Sequence, residues 1–248
     1  MKVRLIQLVI GLACTLFFLG IAFYRVQLGA VSAALAAANP AWIVAAMLIY
    51  AVNLALRAWR WQAILRPVAA IPFHIVVRAL LVGYGLNAVM PARLGELFRA
   101  EFFKKTFGLS RIWGLTSIVI ERLFDGITVI CCLGIGLLFG AAGRPNAGLL
   151  INVLVTGSAL FGAGLLAAFC LSGSMMPRIV GRFPGLSAQL AMVQQGLKIL
   201  RTWRTLGVIA ITLIIYVPDA LTLWFLVKGV GLTLGFSETL VLLSAQRA

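Results

Sequence analysis

"NAVMPARLGELFRAEFFKK" (residues 87–105) decides how this chain can fold. It follows "HIVVRALLVGYGL" (74–86), an apolar run that looks ready to cross a membrane, and breaks it with Asn87, Pro91, Arg93, Gly95, Glu96 and Arg99. Basic residues flank the run on both sides, Arg66 before it and Arg93, Arg99, Lys104, Lys105 and Arg111 after it. A complete crossing would carry one of these clusters to the far side, against the tendency of Lys and Arg to stay on the cytoplasmic face. A segment that dips in and returns keeps both inside. The glycines of "GYGLN" (83–87) offer a bend, and Pro91 interrupts any continuing helix. Residues 73–91 are therefore expected to be re-entrant. Broken backbone facing lipid would leave N–H and C=O groups unsatisfied, so the hairpin must be sheathed by other helices or line a wet cavity.

The remainder of the chain agrees with a membrane setting. Of its 248 residues, 62% are hydrophobic and 11% charged, against about 25% charged in a soluble domain. Lys and Arg number 21 against 6 Asp and Glu. At a mean hydropathy of +1.08, that excess reads as positive-inside topology and affinity for anionic lipid, and not as a nucleic-acid footprint. The expected fold is all-α, a polytopic transmembrane bundle forming one domain over residues 1–248. Spans are placed near 5–23, 41–59, 112–142, 148–171 and 206–227, with an incomplete segment at 236–248. The first apolar stretch is 19 residues long, longer than a signal-peptide core, and is read as a retained span. Cys14, Cys131, Cys132 and Cys170 lie in apolar runs without metal-ligand spacing, so they read as small buried hydrophobes. No metal or other cofactor is expected.

With a cytoplasmic N-terminus, most Lys and Arg fall inside, among them Lys2, Arg4, Arg57, Arg60, Arg66, Lys104, Lys105, Arg111, Arg178, Arg182, Lys198, Arg201 and Arg204. Arg25, Arg144 and Lys228 fall outside. In "SAQLAMVQQGLKILRTWR" (187–204), Leu190, Val193, Leu197 and Leu200 recur at helical spacing. Two readings stand: an amphipathic helix lying on the anionic leaflet, and a connecting helix packed on the bundle.

Charges inside the apolar runs need a reason, since each costs roughly 2.5–3.5 kcal/mol at the bilayer centre. In "SIVIERLFDGIT" (117–128), Ser117, Glu121, Asp125 and Thr128 fall within about 80° of one helix face. Arg122 lies three residues before Asp125, close enough to pair with it. The stripe either lines a cavity or forms a structural ion pair. Asn53, Arg57 and Arg60 share a face of the second span. Arg57 is the functional candidate, while Arg60 and Arg66 read as helix-end arginines that snorkel to water. Arg93, Glu96 and Arg99 share one side of a helix starting near Pro91, whose free N–H groups would suit a phosphate or carboxylate. Arg93 would add a guanidinium fork, with Glu96 neutralising these arginines when the site is empty. Asp219, beside Pro218, is an isolated acid expected to partner one of the arginines; His74 and Arg78 lie on the first arm of the hairpin.

At "LALRAWRW" (54–61), "NAVMPARLGELFRA" (87–100) and "ERLFD" (121–125) the sequence resembles the transmembrane region of the lysylphosphatidylglycerol synthase family, flippase-like membrane proteins. The resemblance covers nearly the whole chain, and the second element looks like the family's Asn-x3-Pro-x-Arg-x-Gly-Glu-x2-Arg signature. It implies a polytopic protein of the plasma (inner) membrane that handles lipids. Family members that aminoacylate lipid carry a separate soluble transferase domain, so synthase activity is not carried over. The family also tends to a later Pro/Gly-rich element, which makes this chain look truncated at its C-terminus.

The function expected is a flippase or lipid-handling transporter, not an enzyme, recognising an anionic or aminoacylated phospholipid head group. Its head-group site would comprise Asn87, Arg93, Glu96, Arg99, Glu121, Arg122, Asp125 and Arg57. Glu96, Glu121 and Asp219 are candidate proton or ion carriers, because no nucleotide-binding motif is present. The alternative is a non-transporting partner of a lipid-modifying or glycosyl-transfer enzyme. Re-entrance has a direct test. In a background without native cysteines, Arg66→Cys and Lys105→Cys should react with an impermeant maleimide from the same side of the membrane, and labelling from opposite sides would exclude a returning hairpin.

Overall fold

The computed structural model describes residues 28–89, 94–138, 147–173 and 187–232, together with 20, 181, 185, 235, 238–239 and 241–243. The expected first span, 5–23, apart from residue 20, and most of the 236–248 segment lie outside the described residues, as do Pro91 and Arg93. Helices account for the regular structure among the described residues: α1 (Leu28–Ala36), α2 (Pro40–Leu65), α3 (Phe73–Val89), α4 (Leu94–Phe107), α5 (Arg111–Gly136), α6 (Ala147–Leu171), α7 (Ser187–Leu197) and α8 (Arg204–Gly229). A 3-10 turn, Lys198–Arg201, links the last two.

The central pair is α2 against α8. Both have 26 residues, about 39 Å at 1.5 Å per residue, enough to cross a hydrocarbon core of about 30 Å. They run antiparallel: the Asn39 N–H donates to Gly229 O at 2.9 Å, Asn53 reaches Ile215, and Ile64 packs with Val208. Asn39 also caps α2, its side chain accepting from the Ala41 N–H, with Pro40 in the first turn where a missing N–H costs nothing. Helices α2, α6 and α8 are long and apolar enough to cross a membrane. Helix α5 equals α2 in length but carries Arg111, Glu121, Arg122 and Asp125.

Helices α3 and α4 form an antiparallel hairpin on α2. Near its open end, Val76, Ala79, Leu80 and Phe103 share one core with Ala58, Trp61 and Leu65 of α2. Gln62 Nε2 donates to Ile71 O at 2.7 Å, just ahead of α3, and Phe107 packs on the same cluster as α4 ends. The hairpin thus returns to the end of α2 from which it left. The first arm, 17 residues or about 25 Å, is shorter than a full span.

The bend is not where the sequence placed it. Helix α3 runs without a break through Gly83 and Gly85 to Val89, and the antiparallel return arm is α4, from Leu94. Gly83 serves close packing instead. A Cβ on Gly95 would lie 1.9 Å from Gly83 O, and one on Gly83 would meet Arg99 Cδ at 3.0 Å. The missing side chains let the two arms touch backbone to backbone. Farther along, Gly114 of α5 abuts the Cα of Ala100, and Gly126 abuts the Phe161 ring of α6.

Helix α7 packs on the bundle. Leu197, Ile199 and Leu200 are buried with Ile64, Ile120, Phe124, Ala168 and Val208, and Val193 packs against them. Within α7 itself Leu197 is buried and Val193 half-buried against the bundle, as a connecting helix packed on it requires. At the polar end, Glu101 and Arg111 form an exposed ion pair between α4 and α5, and the Arg111 guanidinium holds the Glu101 carboxyl below its ordinary range.

The glycine contacts predict a sharp contrast. Gly95→Ala should markedly lower the detergent melting temperature, because a backbone carbonyl occupies the space a methyl needs. Gly85→Ala, where nothing lies within 4 Å, should match or exceed wild type, since Ala gains up to about 1 kcal/mol over Gly in a helix. Equal melting temperatures for the two variants would contradict the backbone contact.

Candidate functional site

Four helices bring their charged residues to one buried lattice. From α5 the stripe predicted by periodicity, Ser117, Glu121, Asp125 and Thr128, is buried as a set. Thr128 closes on its own helix, donating to Phe124 O at 2.9 Å. Glu121 is 1% exposed and lies between two guanidiniums: Arg60 Nη2 donates to its Oε1 at 2.9 Å and Arg99 Nη2 to its Oε2 at 2.9 Å. Arg60 also donates from Nη1 to Asp125 Oδ1 at 2.5 Å and from Nη2 to Asp125 Oδ2 at 3.2 Å. One acid from α5 thus joins α2 to α4, and the next ties α2 again.

Arg60 is the lattice residue that sequence reading placed at the surface. It is fully buried, not snorkelling, because its partners come from a helix some sixty positions along the chain. Its position four-and-three along the face of Asn53 and Arg57 was the available signal. Arg66, one residue past α2, is exposed as expected.

A second cluster joins α2 to α8. Arg57 Nη2 donates to Asp219 Oδ2 at 2.6 Å and its Nε to Asn53 Oδ1 at 2.5 Å. Asn53 Nδ2 donates to Asp219 Oδ1 at 2.9 Å and to Ile215 O at 3.0 Å, within the turn that Pro218 disturbs. The partner of Asp219, left open by the sequence, is Arg57. Tyr216 bridges the clusters, its hydroxyl donating to Asp125 O at 2.9 Å.

The hairpin contributes three predicted residues. Arg99, 1% exposed, lies flat on Trp61, its guanidinium carbon 3.6 Å from the ring centroid. Trp61 is held in turn by donating to Ser117 Oγ at 3.1 Å. Glu96 pairs with Arg122 of α5, so it neutralises that arginine and not Arg99. Arg122 lies 3.9 Å from Asp125, a looser contact than the spacing suggested. Asn87 Oδ1 accepts the Gly95 N–H at 2.7 Å, satisfying one of the free donors at the start of α4. Arg93 lies outside the described residues. His74 and Arg78 are exposed on α3, away from the lattice.

Among the described residues the formal charges cancel: Arg57, Arg60, Arg99 and Arg122 face Asp219, Glu121, Asp125 and Glu96. Four of the chain's six acids are committed here. Donor capacity remains. Arg60 Nε, Arg99 Nε and Nη1, and Arg122 Nε are buried without a hydrogen-bond acceptor among the described residues. Leaving a buried donor unmet costs about 1–3 kcal/mol. The lattice is therefore neutral as a whole but has spare N–H groups around Arg99.

The family described as "Lysylphosphatidylglycerol synthase TM region" matches residues 5–246, nearly the whole chain. A curated protein from Haloferax volcanii, "Glycosyltransferase AglD", is 30% identical over 155 residues, which is 62% of this chain and 25% of that protein. The chain thus spans about a quarter of the relative's length. No solved structure matches.

Breaking a buried ion pair from one side costs about 3–5 kcal/mol. Arg60→Ala and Glu121→Ala should each destabilise the detergent-solubilised protein by that order, and Arg66→Ala by less than about 0.5 kcal/mol. Thermal unfolding of the three variants side by side checks this; an Arg60→Ala as mild as Arg66→Ala would contradict the buried assignment.

Proposed function

Since the chain belongs to the lysylphosphatidylglycerol synthase transmembrane-region family, we propose that it moves or presents a lipid whose anionic or aminoacylated head group enters the lattice between the hairpin and α5. The observation that carries this reading is Arg99: a buried guanidinium, oriented by Trp61 and Glu121, with two N–H donors unmet among the described residues. A phosphate oxygen meets those donors in charge-assisted hydrogen bonds. The neutral lattice has a further consequence. An anionic head group adds net negative charge unless a proton or cation enters with it, and Glu96, half-buried and paired with Arg122, is the acid best placed to take one. An aminoacylated head group brings its own ammonium for Glu96, so phosphate and amine replace an internal pair like for like.

Access follows from the hairpin. Its first arm is shorter than a full span, and its glycine-packed arms provide polar backbone inside the bundle, which is tolerated where it is covered by protein or lines a cavity. In this reading the hairpin and α5 close one side of a head-group path, and both flanks of the hairpin stay in the cytoplasm of a cell whose inner membrane holds the protein.

A second reading, a non-transporting partner of a lipid-linked glycosyl-transfer enzyme, is favoured by one finding: the matched relative is named a glycosyltransferase, yet the match covers only a quarter of it.

Reconstitution into vesicles with fluorescent anionic and aminoacylated phospholipids separates the two. Transbilayer movement should be measurable in wild type and fall at least tenfold in Arg99→Lys, which keeps the charge but loses the planar donors. Glu96→Gln should slow the anionic lipid while leaving the fold intact. Movement equal to protein-free vesicles, restored by a co-purifying enzyme, would favour the partner reading.

A further inference from the structure

A cationic feature lies apart from the neutral lattice. Residues 126–218 contain no Asp or Glu, while 172–205 hold Arg178, Arg182, Lys198, Arg201 and Arg204. Where that segment meets the bundle, an apolar groove of about 340 Å³ opens between α6 and the start of α8, floored by Phe124 and Leu200 and walled by Leu165, Leu166, Phe169 and Ile209. Asp125, next to Phe124, does not offset the charge here, since its carboxylate is bonded to Arg60.

The groove has a polar and an apolar end. The Arg201 guanidinium stands over the Phe169 ring at 5.0 Å, and rests so close on Gly173 that a Cβ there would meet it at 2.5 Å. Phe169 is two residues from the end of α6, and Thr205, also on the groove, is one residue into α8. Gly162 and Ile209 lie deeper, nine residues before the end of α6 and five after the start of α8, or about 8–13 Å along the helices. Beside the charged end, Trp203 is 80% and Leu206 70% exposed, as suits residues at the membrane–water boundary.

We propose that this groove binds an anionic phospholipid of the adjoining leaflet. Arg201, already oriented by Phe169 and Gly173, contacts the phosphate; Lys198 and Arg204 add charge at the rim; one acyl chain lies along Phe169, Leu166 and Leu165. Any lipid covers an apolar wall, but a cationic rim in an acid-free stretch selects for negative charge. The site is separate from the hairpin lattice and does not depend on transport.

Purified protein in detergent, offered equal phosphatidylglycerol and phosphatidylcholine, tests this by native mass spectrometry. Phosphatidylglycerol should be retained preferentially. Its retention should fall roughly fivefold for each cation removed in Arg201→Gln and Arg204→Gln, with phosphatidylcholine unchanged. Leu166→Trp, at a position 64% exposed, should obstruct the chain and lower retention without altering charge. Glu96→Gln should leave retention as in wild type, which separates this groove from the hairpin site. Equal retention of the two lipids, an unchanged preference in the arginine variants, or an unaffected Leu166→Trp would overturn the proposal.

Discussion

The Glu121 carboxylate, held between Arg60 and Arg99, is the interaction on which the remainder depends. All three side chains are almost wholly removed from solvent. A lone charge there would cost far more than the fold can spare, so each must find its partner at hydrogen-bonding distance. That demand sets the axial register of three helices at once. Arg60 brings α2, Arg99 brings the returning arm of the hairpin, and Glu121 brings α5. Asp125 repeats the tie one turn later, and through the Tyr216 hydroxyl the constraint reaches α8.

Around this lattice, small residues do the work that large apolar residues do in a soluble core. Lipid tails are as apolar as leucine, so little is gained by hiding leucine from them; close backbone approach and interhelical hydrogen bonds supply the attraction instead. Gly83 on Gly95, Gly114 on Ala100 and Gly126 on Phe161 are such approaches. They explain how the arms of the hairpin can pack closely on each other and on α5. The resulting interior is closely packed, charge-balanced and short of hydrogen-bond acceptors among the described residues.

Much of this was legible in local sequence. The α5 stripe was readable because a 3.6-residue period is local and needs no knowledge of neighbours. Basic residues on both flanks gave the expectation of a returning segment, and α3 and α4 do pack as antiparallel arms on α2. What escaped depended on distant partners. Arg60 looks like any arginine near a helix end until Glu121 and Asp125 arrive from α5. Gly83 and Gly85 look like a bend, and only the arrival of Gly95 shows that Gly83 is a contact. Asn87 reads as a ligand residue, and the start of α4 gives it a backbone N–H to hold. The apolar stripe of α7 fits a lipid surface as well as a protein one, and only the tertiary structure shows its Leu197 end buried with Ile64, Ile120 and Val208.

By itself, then, the sequence determined the class, the helical periods and the family to which the chain is related. These follow from composition and from spacings of three and four residues, which act within one helix. The tertiary structure alone decided which carboxylate answers which guanidinium, because several arginines and four acids are chemically interchangeable in the sequence. Only the packing distances between helices, set by glycine contacts and by the cost of an unpaired buried charge, distinguish one pairing from another.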